Sequence, residues 1–135
     1  MADQGAQGSF NVKLNGLSLW DGAAVHPSLG RRSIDKSFTG DLVAVSAGEM
    51  LSAGGTVSGS AGYVAIERVT GTLAGRAGSF SLLHTGLMNR GTPFLSIVVV
   101  PDSGEGELHG LSGTMTIDIK DGQHFYHFSY ALPQA

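Results

Sequence analysis

The stretch AGYVAIERVTGTLAGRAGSFSLLHTG, residues 61–86, contains two runs with the residue pattern of β-strands around a glycine-containing corner. In each run apolar side chains recur at every second residue, the spacing of a strand that buries one face. The corner AGRAG (residues 74–78) supplies residues that tolerate the positive φ angles of a tight turn. The segment TGT (residues 70–72) has the same property and is also predicted to form a corner. The stretch therefore predicts long strands joined by tight turns.

The same pattern continues through the rest of the chain. Asp121-Gly122 lies between two alternating runs and is the strongest short-range signal for a β-hairpin. No segment of ten or more residues has the period of an amphipathic helix. The further strand-like runs are SFNVKLN (9–15), SIDKSFTGDLVAVS (33–46), PFLSIVVVP (93–101), EGELHG (105–110), GTMTIDI (113–119) and QHFYHFSYAL (123–132).

These runs predict an all-β fold, a single antiparallel β-barrel of about eight strands, because closure into a barrel removes exposed sheet edges. Residues 9–135 are assigned to the barrel domain and residues 1–8 to a flexible N-terminus. Residues 21–32 and 47–61 are predicted to form loops that are longer than ordinary hairpin connections. The apolar pair Met50-Leu51 in the second loop is expected to dock on the barrel mouth.

The composition excludes several classes of function. The formal net charge is −3, and Arg31-Arg32 is the only adjacent basic pair, so no nucleic-acid partner is expected. There are no cysteines, which excludes disulfides, thiolate nucleophiles and zinc–thiolate sites. The start MADQGAQG has no signal-peptide pattern, and the run Ile97–Val100 is too short to span a bilayer. A cytoplasmic location without a membrane partner is therefore expected.

No motif for a cofactor or a metal is found. The stretch GEGELHG (residues 104–110) nearly matches a dinucleotide fingerprint, but a strand-like run follows it instead of a helix N-terminus. His124 and His127 are three residues apart, and side chains at that spacing on a strand point to opposite faces. The sequence therefore predicts neither a cofactor nor a metal site.

A pattern of glycines near the C-terminus resembles that of a known barrel superfamily. Gly104, Gly106, Leu108, Gly110 and Gly113 form a corner that resembles the allene oxide cyclase and dirigent barrels. From Lys36 onward the chain resembles more closely a family of small bacterial proteins of unknown function, DUF3224. The resemblance implies an eight-stranded antiparallel barrel with an internal cavity, assembled into a homo-oligomer, and implies no particular reaction. It is carried by KSFTGDL, GEML, AGYVAIERVTGTLAGRAGSFSLLHTG, VVPDSGEGELHGLSGTMTI and GQHFYHFSYAL.

Three ionisable residues share a strand face with apolar neighbours. His84 is in register with Phe80 and Leu82, Lys36 with Ile34 and Phe38, and Glu67 with Tyr63 and Val69. If these faces point inward, the barrel interior contains a base, an ammonium and a carboxylate. Because a buried unpaired charge costs several kcal/mol, the three groups are expected to pair with one another. Such an arrangement is typical of proton-transfer chemistry, so His84, Glu67 and Lys36 are the candidate catalytic residues.

Each candidate also has a structural explanation. His84 is equally well explained as a core histidine that hydrogen-bonds a neighbouring group. Lys36 could lie near a strand end and extend its ammonium to solvent. Glu67 and Arg68 are adjacent, so one points inward and the other outward, and the sequence leaves open which.

Three functions are compatible with this reading. The first is a barrel that binds a small apolar or amphipathic molecule, oriented by a few polar groups. The second is an isomerase or cyclase that works without a cofactor, using the ionisable groups for proton transfer. The third is a structural, oligomer-forming barrel with a filled interior. The candidate ligand-binding residues are Tyr63, Phe38, Phe80, Leu82, Tyr126 and Phe128.

Overall fold

The computed structural model of the chain describes residues 3–19 and 26–133. Within these residues the regular structure consists of β-strands, and no helix is long and apolar enough to cross a membrane. The strands are β1 (Gln4–Leu17), β2 (Leu29–Gly40), β3 (Leu42–Gly54), β4 (Ala61–Leu73), β5 (Arg76–Asn89), β6 (Thr92–Val99), β7 (Glu105–Gly106), β8 (Ser112–Lys120) and β9 (Gln123–Ala131).

The sheet closes on itself as the sequence predicts. Neighbouring strands from β1 to β6 pair in antiparallel orientation, β1 with β2 and so on to β5 with β6. In the same orientation β6 pairs with β8, β8 with β9, and β9 with β1. The result is a closed antiparallel barrel of eight strands, and the two-residue β7 is an extra strand that pairs with β5. The predicted fold class is therefore confirmed.

Two-residue turns connect several of the strands. Asp121 and Gly122 both have positive φ, at 52° and 78°, as a type I′ hairpin requires. Ala74 and Gly75 form the same kind of turn between β4 and β5, with φ of 50° and 84°. The predicted corners KDGQ and AGRAG are therefore confirmed. The predicted TGT corner is wrong, because residues 70–72 lie inside β4.

Three boundaries differ from those predicted. Residues 47–54, expected in a loop, belong to β3 and pair with β4, so that loop spans only residues 55–60. Residues 29–32 belong to β2, and residues 21–25 of the other predicted loop lie outside the described residues. The barrel begins earlier than expected, since residues 4–8 pair with β9. In all three cases strand pairing extends through segments whose residue pattern alone resembles a loop or a terminus.

One end of the barrel is closed by the segment after β6. Residues 100–111 cross this end and insert Leu108 and Leu111, each 1% exposed. At the same end the Tyr126 hydroxyl donates to the Thr39 carbonyl at 2.8 Å and accepts from the Leu42 amide at 2.9 Å. These bonds hold the corner between β2 and β3, two strands that the sequence predicts as one continuous strand-like run. Beneath the cap the barrel interior is filled with side chains.

Candidate functional site

Four polar side chains meet in the interior of the barrel. Lys36, Ser46, Glu67 and His84 come from β2, β3, β4 and β5, one from each strand, and each is at most 8% exposed. They point inward because each occupies the strand face that also carries the buried apolar residues. We refer to these four residues as the buried polar cluster.

Glu67 is the centre of the buried polar cluster. Its Oε2 accepts a hydrogen bond from Lys36 Nζ at 2.8 Å and lies 2.5 Å from His84 Nε2. Its Oε1 accepts a hydrogen bond from the Ser46 hydroxyl at 2.7 Å. In the described part of the chain, no fully buried side-chain nitrogen or oxygen lacks a hydrogen-bond partner. The structure thus brings together the three candidate catalytic residues and adds Ser46.

The environment of Glu67 favours its ionised form. Burial alone raises the pKa of this carboxyl, but the hydrogen bond from His84 and the charge and hydrogen bond of Lys36 outweigh it. The net effect lowers the pKa of Glu67 to about 2. The Lys36 ammonium also lies 4.9 Å from the ring centroid of Phe10, close enough for a cation–π contact. The cluster therefore contains a carboxylate and an ammonium that neutralise each other.

Gly48 allows the strands to approach closely beside the cluster. It lies opposite Glu67 in the register of β3 and β4. A Cβ atom at this position would lie 2.0 Å from the Ile66 carbonyl oxygen, so a larger residue would push the two strands apart. The glycine therefore keeps β3 and β4 close at the point where Glu67 enters the interior.

The end of the barrel opposite the cap contains a pocket of about 500 Å³. We call it the mouth pocket. Most of its wall is apolar and includes Met50, Leu87, Phe94, Leu95 and Ile119. Four of these residues are unusually exposed for large apolar side chains, with Ile119 at 65%, Leu87 and Phe94 at 56% and Leu95 at 41%. The open end of the barrel is therefore an apolar concavity in contact with solvent.

Arg32, Ser52 and Tyr63 are the polar side chains of the mouth pocket. The Tyr63 ring packs against Gly86, where a Cβ atom would lie 2.1 Å from the ring. Burial raises the pKa of Tyr63, and the negative charge of Glu67 raises it further. The hydroxyl is therefore protonated at neutral pH and can donate a hydrogen bond. Tyr63 therefore links the mouth pocket to the buried polar cluster. It lines the pocket, and its pKa is raised by the charge of Glu67 in the cluster.

The mouth pocket lies where the barrel wall is least closed. β6 and β8 are joined by two residue pairs, Ile97 with Met115 and Val98 with Thr114. Toward the mouth, residues 92–96 pair only with β5 and residues 116–120 pair only with β9. Pro93 at this gap cannot donate a ladder hydrogen bond, which discourages an additional strand from pairing there. The gap therefore gives the pocket a lateral opening.

The residues predicted to bind ligand separate into two groups. Tyr63 lines the mouth pocket, whereas the other five are at most 2% exposed and belong to the packed core. Those five residues are Phe38, Phe80, Leu82, Tyr126 and Phe128. The two groups differ in their depth along the barrel axis. All six positions face inward, but these five lie in the part of the interior that is filled with side chains.

The residues predicted from the sequence include neither Ser46 of the cluster nor most residues of the pocket wall, such as Arg32 and Met50. Arg32 and Met50 lie in segments that are predicted to be loops, although Arg32 shares the strand face of Ile34 and Met50 that of Ala44. Ser46 also continues the inward face of β3. Extending the period-two pattern through the two predicted loops places Arg32 and Met50 on the inward face, and Ser46 is already the last residue of the strand-like run 33–46. As for metals, no group of three or more His, Asp or Glu side chains in residues 3–19 and 26–133 could hold an ion.

A family model and a solved structure of similar sequence both point to the same protein family. The family model described as "Protein of unknown function (DUF3224)" matches residues 6–130. The chain is also similar to a crystal structure of a protein with unknown function from the DUF3224 family of Shewanella oneidensis MR-1. The two are 51% identical with a TM-score of 0.92, and the match covers 98% of this chain and 99% of that one. No significant match to a curated protein was found.

Proposed function

The chain belongs to the DUF3224 family, and we propose that its barrel binds a small amphipathic molecule in the mouth pocket. The observation that carries this proposal is an apolar concavity of about 500 Å³ at the open end of an otherwise filled barrel. Small-molecule sites typically measure roughly 300–1,000 Å³ and combine apolar walls with a few polar groups. The mouth pocket has both properties.

The polar groups of the pocket favour a ligand with an anionic group. Arg31 is engaged, since its side chain contacts Glu49 at 2.6 Å and the Ser18 carbonyl at 2.7 Å. The ion pairs found among the described residues do not include Arg32, which lies at the pocket wall. A guanidinium binds carboxylates well because its donors match both oxygens. The Tyr63 hydroxyl supplies a further donor nearby.

The apolar wall supplies most of the binding energy in this proposal. Each methylene group transferred from water to an apolar site contributes about 0.8 kcal/mol. A ligand that buries six or more methylenes therefore gains on the order of 5 kcal/mol before the contribution of its anionic group, which corresponds to sub-millimolar affinity. Dodecanoate, which combines a carboxylate with a chain of suitable length, is the probe we would use.

We expect dodecanoate, below its micellar concentration, to bind saturably in isothermal titration calorimetry. Arg32→Gln should weaken this binding roughly 10- to 100-fold, because a hydrogen bond to a charged group contributes about 1.5–3 kcal/mol. Arg76→Gln is the matched control, because Arg76 lies at the opposite end of the barrel and its loss should leave the affinity unchanged. Dodecanol lacks the charge, so it should bind the wild type more weakly than dodecanoate does. It should bind the wild type and Arg32→Gln with equal affinity.

The two parts of the proposal fail in different ways. If neither dodecanoate nor dodecanol binds, the mouth pocket is not a binding site for such molecules. If both bind equally and Arg32→Gln has no effect, the pocket binds apolar molecules but Arg32 does not recognise a charge.

A second candidate function is cofactor-independent isomerisation or cyclisation, with His84, Glu67 and Lys36 transferring a proton. The short contact between His84 Nε2 and the Glu67 carboxylate favours it, since a carboxylate can orient a histidine base. However, with a pKa of about 2, Glu67 is itself a weak base near neutral pH, and its oxygens are already occupied. For this reason we place ligand binding first.

The two functions are distinguished by a β,γ-unsaturated methyl ketone with a chain similar in length to that of dodecanoate. A proton-transfer enzyme shifts the double bond into conjugation, moving a proton from the α-carbon to the γ-carbon, and proton NMR in D₂O follows this reaction. We expect the wild-type protein and the His84→Gln variant to leave the rate at its value in buffer. A wild-type acceleration that disappears in His84→Gln while dodecanoate binding persists would instead establish the enzymatic function.

A further inference from the structure

The mouth end of the barrel carries exposed large apolar side chains around its circumference. Each lies in a connecting loop or within two residues of the mouth end of its strand, and each is between 40% and 65% exposed. They come from β1, β2, the loop between β3 and β4, β5, β6 and β8, so they surround the opening. We call these residues the apolar rim. It consists of Leu17, Leu29, Val57, Met88, Phe94 and Ile119.

The cap end of the barrel has no comparable rim among the described residues. Its large apolar side chains are buried, and Leu42, Leu73, Leu108 and Leu111 are each at most 1% exposed. In the described part of the chain, Val43 is the one exposed large apolar residue within two residues of a strand end there. Exposed apolar side chains that gather in one region of a small protein mark a surface that contacts another molecule. The apolar rim is therefore a candidate interaction surface.

Hydrogen bonds between the connecting segments hold part of the apolar rim in place. The Gly91 amide, in the turn between β5 and β6, donates to the Gly59 carbonyl at 2.9 Å. The Gly54 amide at the end of β3 donates to the Ser28 carbonyl just before β2, also at 2.9 Å. The loop that carries Val57 is therefore joined to the segments on both sides of it, and the surface is formed before any partner binds.

The charged groups that lie outside ion pairs differ in sign between the two ends of the barrel. At the mouth end, Arg32, Arg90 and Lys120 lie with one carboxylate, that of Asp121. The ion pairs found among the described residues include none of these four groups. The whole chain has a net charge of −3, yet its mouth end is positive. The corresponding groups at the cap end are four carboxylates and one guanidinium, those of Asp3, Asp41, Asp102, Glu107 and Arg76.

We propose that the mouth end of the barrel docks on an anionic lipid bilayer, with the apolar rim inserted at the boundary between the headgroups and the acyl chains. Binding of this kind increases with the apolar area that is buried and with the attraction of basic residues to anionic headgroups. The mouth end supplies both. Arg90 follows Met88 by two residues, and Lys120 directly follows Ile119, so basic and apolar side chains alternate around the opening.

The shape of the mouth end favours a bilayer over a second folded protein. The rim residues surround a concavity of about 500 Å³ and do not form a flat patch. A protein interface requires close shape complementarity at its core. A fluid lipid surface, in contrast, adapts to side chains that stand apart from one another. The observed arrangement therefore suits a lipid surface.

The sequence pattern does not reveal this surface. The expectation that the protein has no membrane partner rests on the absence of a long apolar run. The apolar rim contains no such run, because its members come from the ends of separate strands and meet only when the barrel closes. The proposal therefore revises that expectation for contact with the surface of a membrane.

Docking in this orientation places the opening of the mouth pocket against the lipid. Amphipathic molecules concentrate in bilayers, so the ligand proposed above would enter the pocket directly from the membrane. This consequence rests on the proposed function. Docking itself requires only the exposed side chains of the rim and the basic residues beside them.

The test is flotation of the purified protein with vesicles made of equal parts of phosphatidylcholine and phosphatidylglycerol, over a range of lipid concentrations. We expect the wild type to float with these vesicles and Val57→Glu to bind them at least about 10-fold more weakly. Val43→Glu is the matched control, because it introduces the same charge at a valine that is 57% exposed near the cap. It should bind as the wild type does.

A second pair of variants tests the attraction to anionic headgroups. Arg90→Gln should weaken binding to the mixed vesicles about five-fold, which is the contribution of one basic residue near an anionic surface. Arg76→Gln, at the cap end, should have no effect. Vesicles of phosphatidylcholine alone should bind the wild type more weakly and should not distinguish it from Arg90→Gln. Equal binding to the two kinds of vesicle would contradict the preference for anionic lipid.

The proposal fails if the wild type does not float with the mixed vesicles. It also fails if folded Val57→Glu binds as the wild type does, or if Val43→Glu loses as much binding as Val57→Glu, because the contact then does not use the rim. Leu29→Glu replaces Val57→Glu if circular dichroism shows that the latter does not fold. Val57 and Leu29 do not line the mouth pocket, so both variants should keep the dodecanoate affinity measured without vesicles. Failure of docking is thereby distinguished from failure of the proposed function.

Discussion

Glu67→Gln is expected to lower the free energy of unfolding at neutral pH by about 3–5 kcal/mol. The substitution keeps the shape of the side chain but leaves the Lys36 ammonium, which is 8% exposed, without its counter-charge. Breaking one partner of a buried ion pair costs this much because the remaining charge stays desolvated. Urea denaturation of the two proteins, followed by circular dichroism, measures the difference.

A double-mutant cycle separates the coupling between Lys36 and Glu67 from the other contacts of each side chain, such as the bonds of Glu67 with Ser46 and His84. Lys36→Met alone should also destabilise the protein, because it leaves the Glu67 carboxylate buried without its ammonium. The double variant Lys36→Met/Glu67→Gln should lose considerably less stability than the sum of the two single variants, since neither charge remains. Strict additivity would contradict the pairing that the structure shows.

An exposed ion pair provides the comparison. Arg31 and Glu49 form a salt bridge at 2.6 Å, with their side chains 31% and 53% exposed. Glu49→Gln should therefore cost less than about 1 kcal/mol under the same conditions. If Glu67→Gln costs no more than Glu49→Gln, the buried polar cluster does not contribute to stability in the way described here.

Acid should remove the contribution of Glu67 within a defined range of pH. The pKa of this carboxyl falls from its ordinary value of 4.5 in the unfolded chain to about 2 in the folded protein. A lowered pKa in the folded state means that the stabilisation is complete well above pH 4.5 and disappears as the pH falls toward 2. At 1.36 kcal/mol per pKa unit, the loss is about 3 kcal/mol.

The stability difference between the wild type and Glu67→Gln isolates this effect from the titration of other carboxyl groups. It should be constant from pH 7 to about 5 and should decrease by about 3 kcal/mol as the pH falls to about 2. Urea denaturation at a series of pH values measures it. A difference that stays constant over the whole range would show that Glu67 titrates equally in the folded and unfolded states.

The sequence predicts three of the four residues of the buried polar cluster because strand periodicity has a direct physical meaning. Alternate side chains on a strand point to opposite faces of the sheet, so Lys36 shares the face of Phe38 and His84 the face of Leu82. Since isolated charges are costly in the interior, groups on inward faces must find one another. The contacts of Glu67 with Lys36 and His84 follow from these two rules together.

The sequence by itself determined that most of the chain forms strands and that Asp121-Gly122 and Ala74-Gly75 turn it. These properties depend on neighbours within a few residues. Only the tertiary structure decided which inward positions lie in the packed core and which line the mouth pocket. Phe80 and Tyr63 both face inward, yet the first is 1% exposed and the second borders a cavity of about 500 Å³.

The physical reason is that periodicity defines a direction and carries no information about depth along the barrel axis. Depth depends on the register between strands distant in sequence, on the cap that Leu108 and Leu111 form at one end, and on the gap between β6 and β8 at the other. Each of these arises from contacts between segments far apart in the chain. For that reason the period of β2 explains the inward direction of Arg32, whereas its position at the pocket depends on the closed barrel.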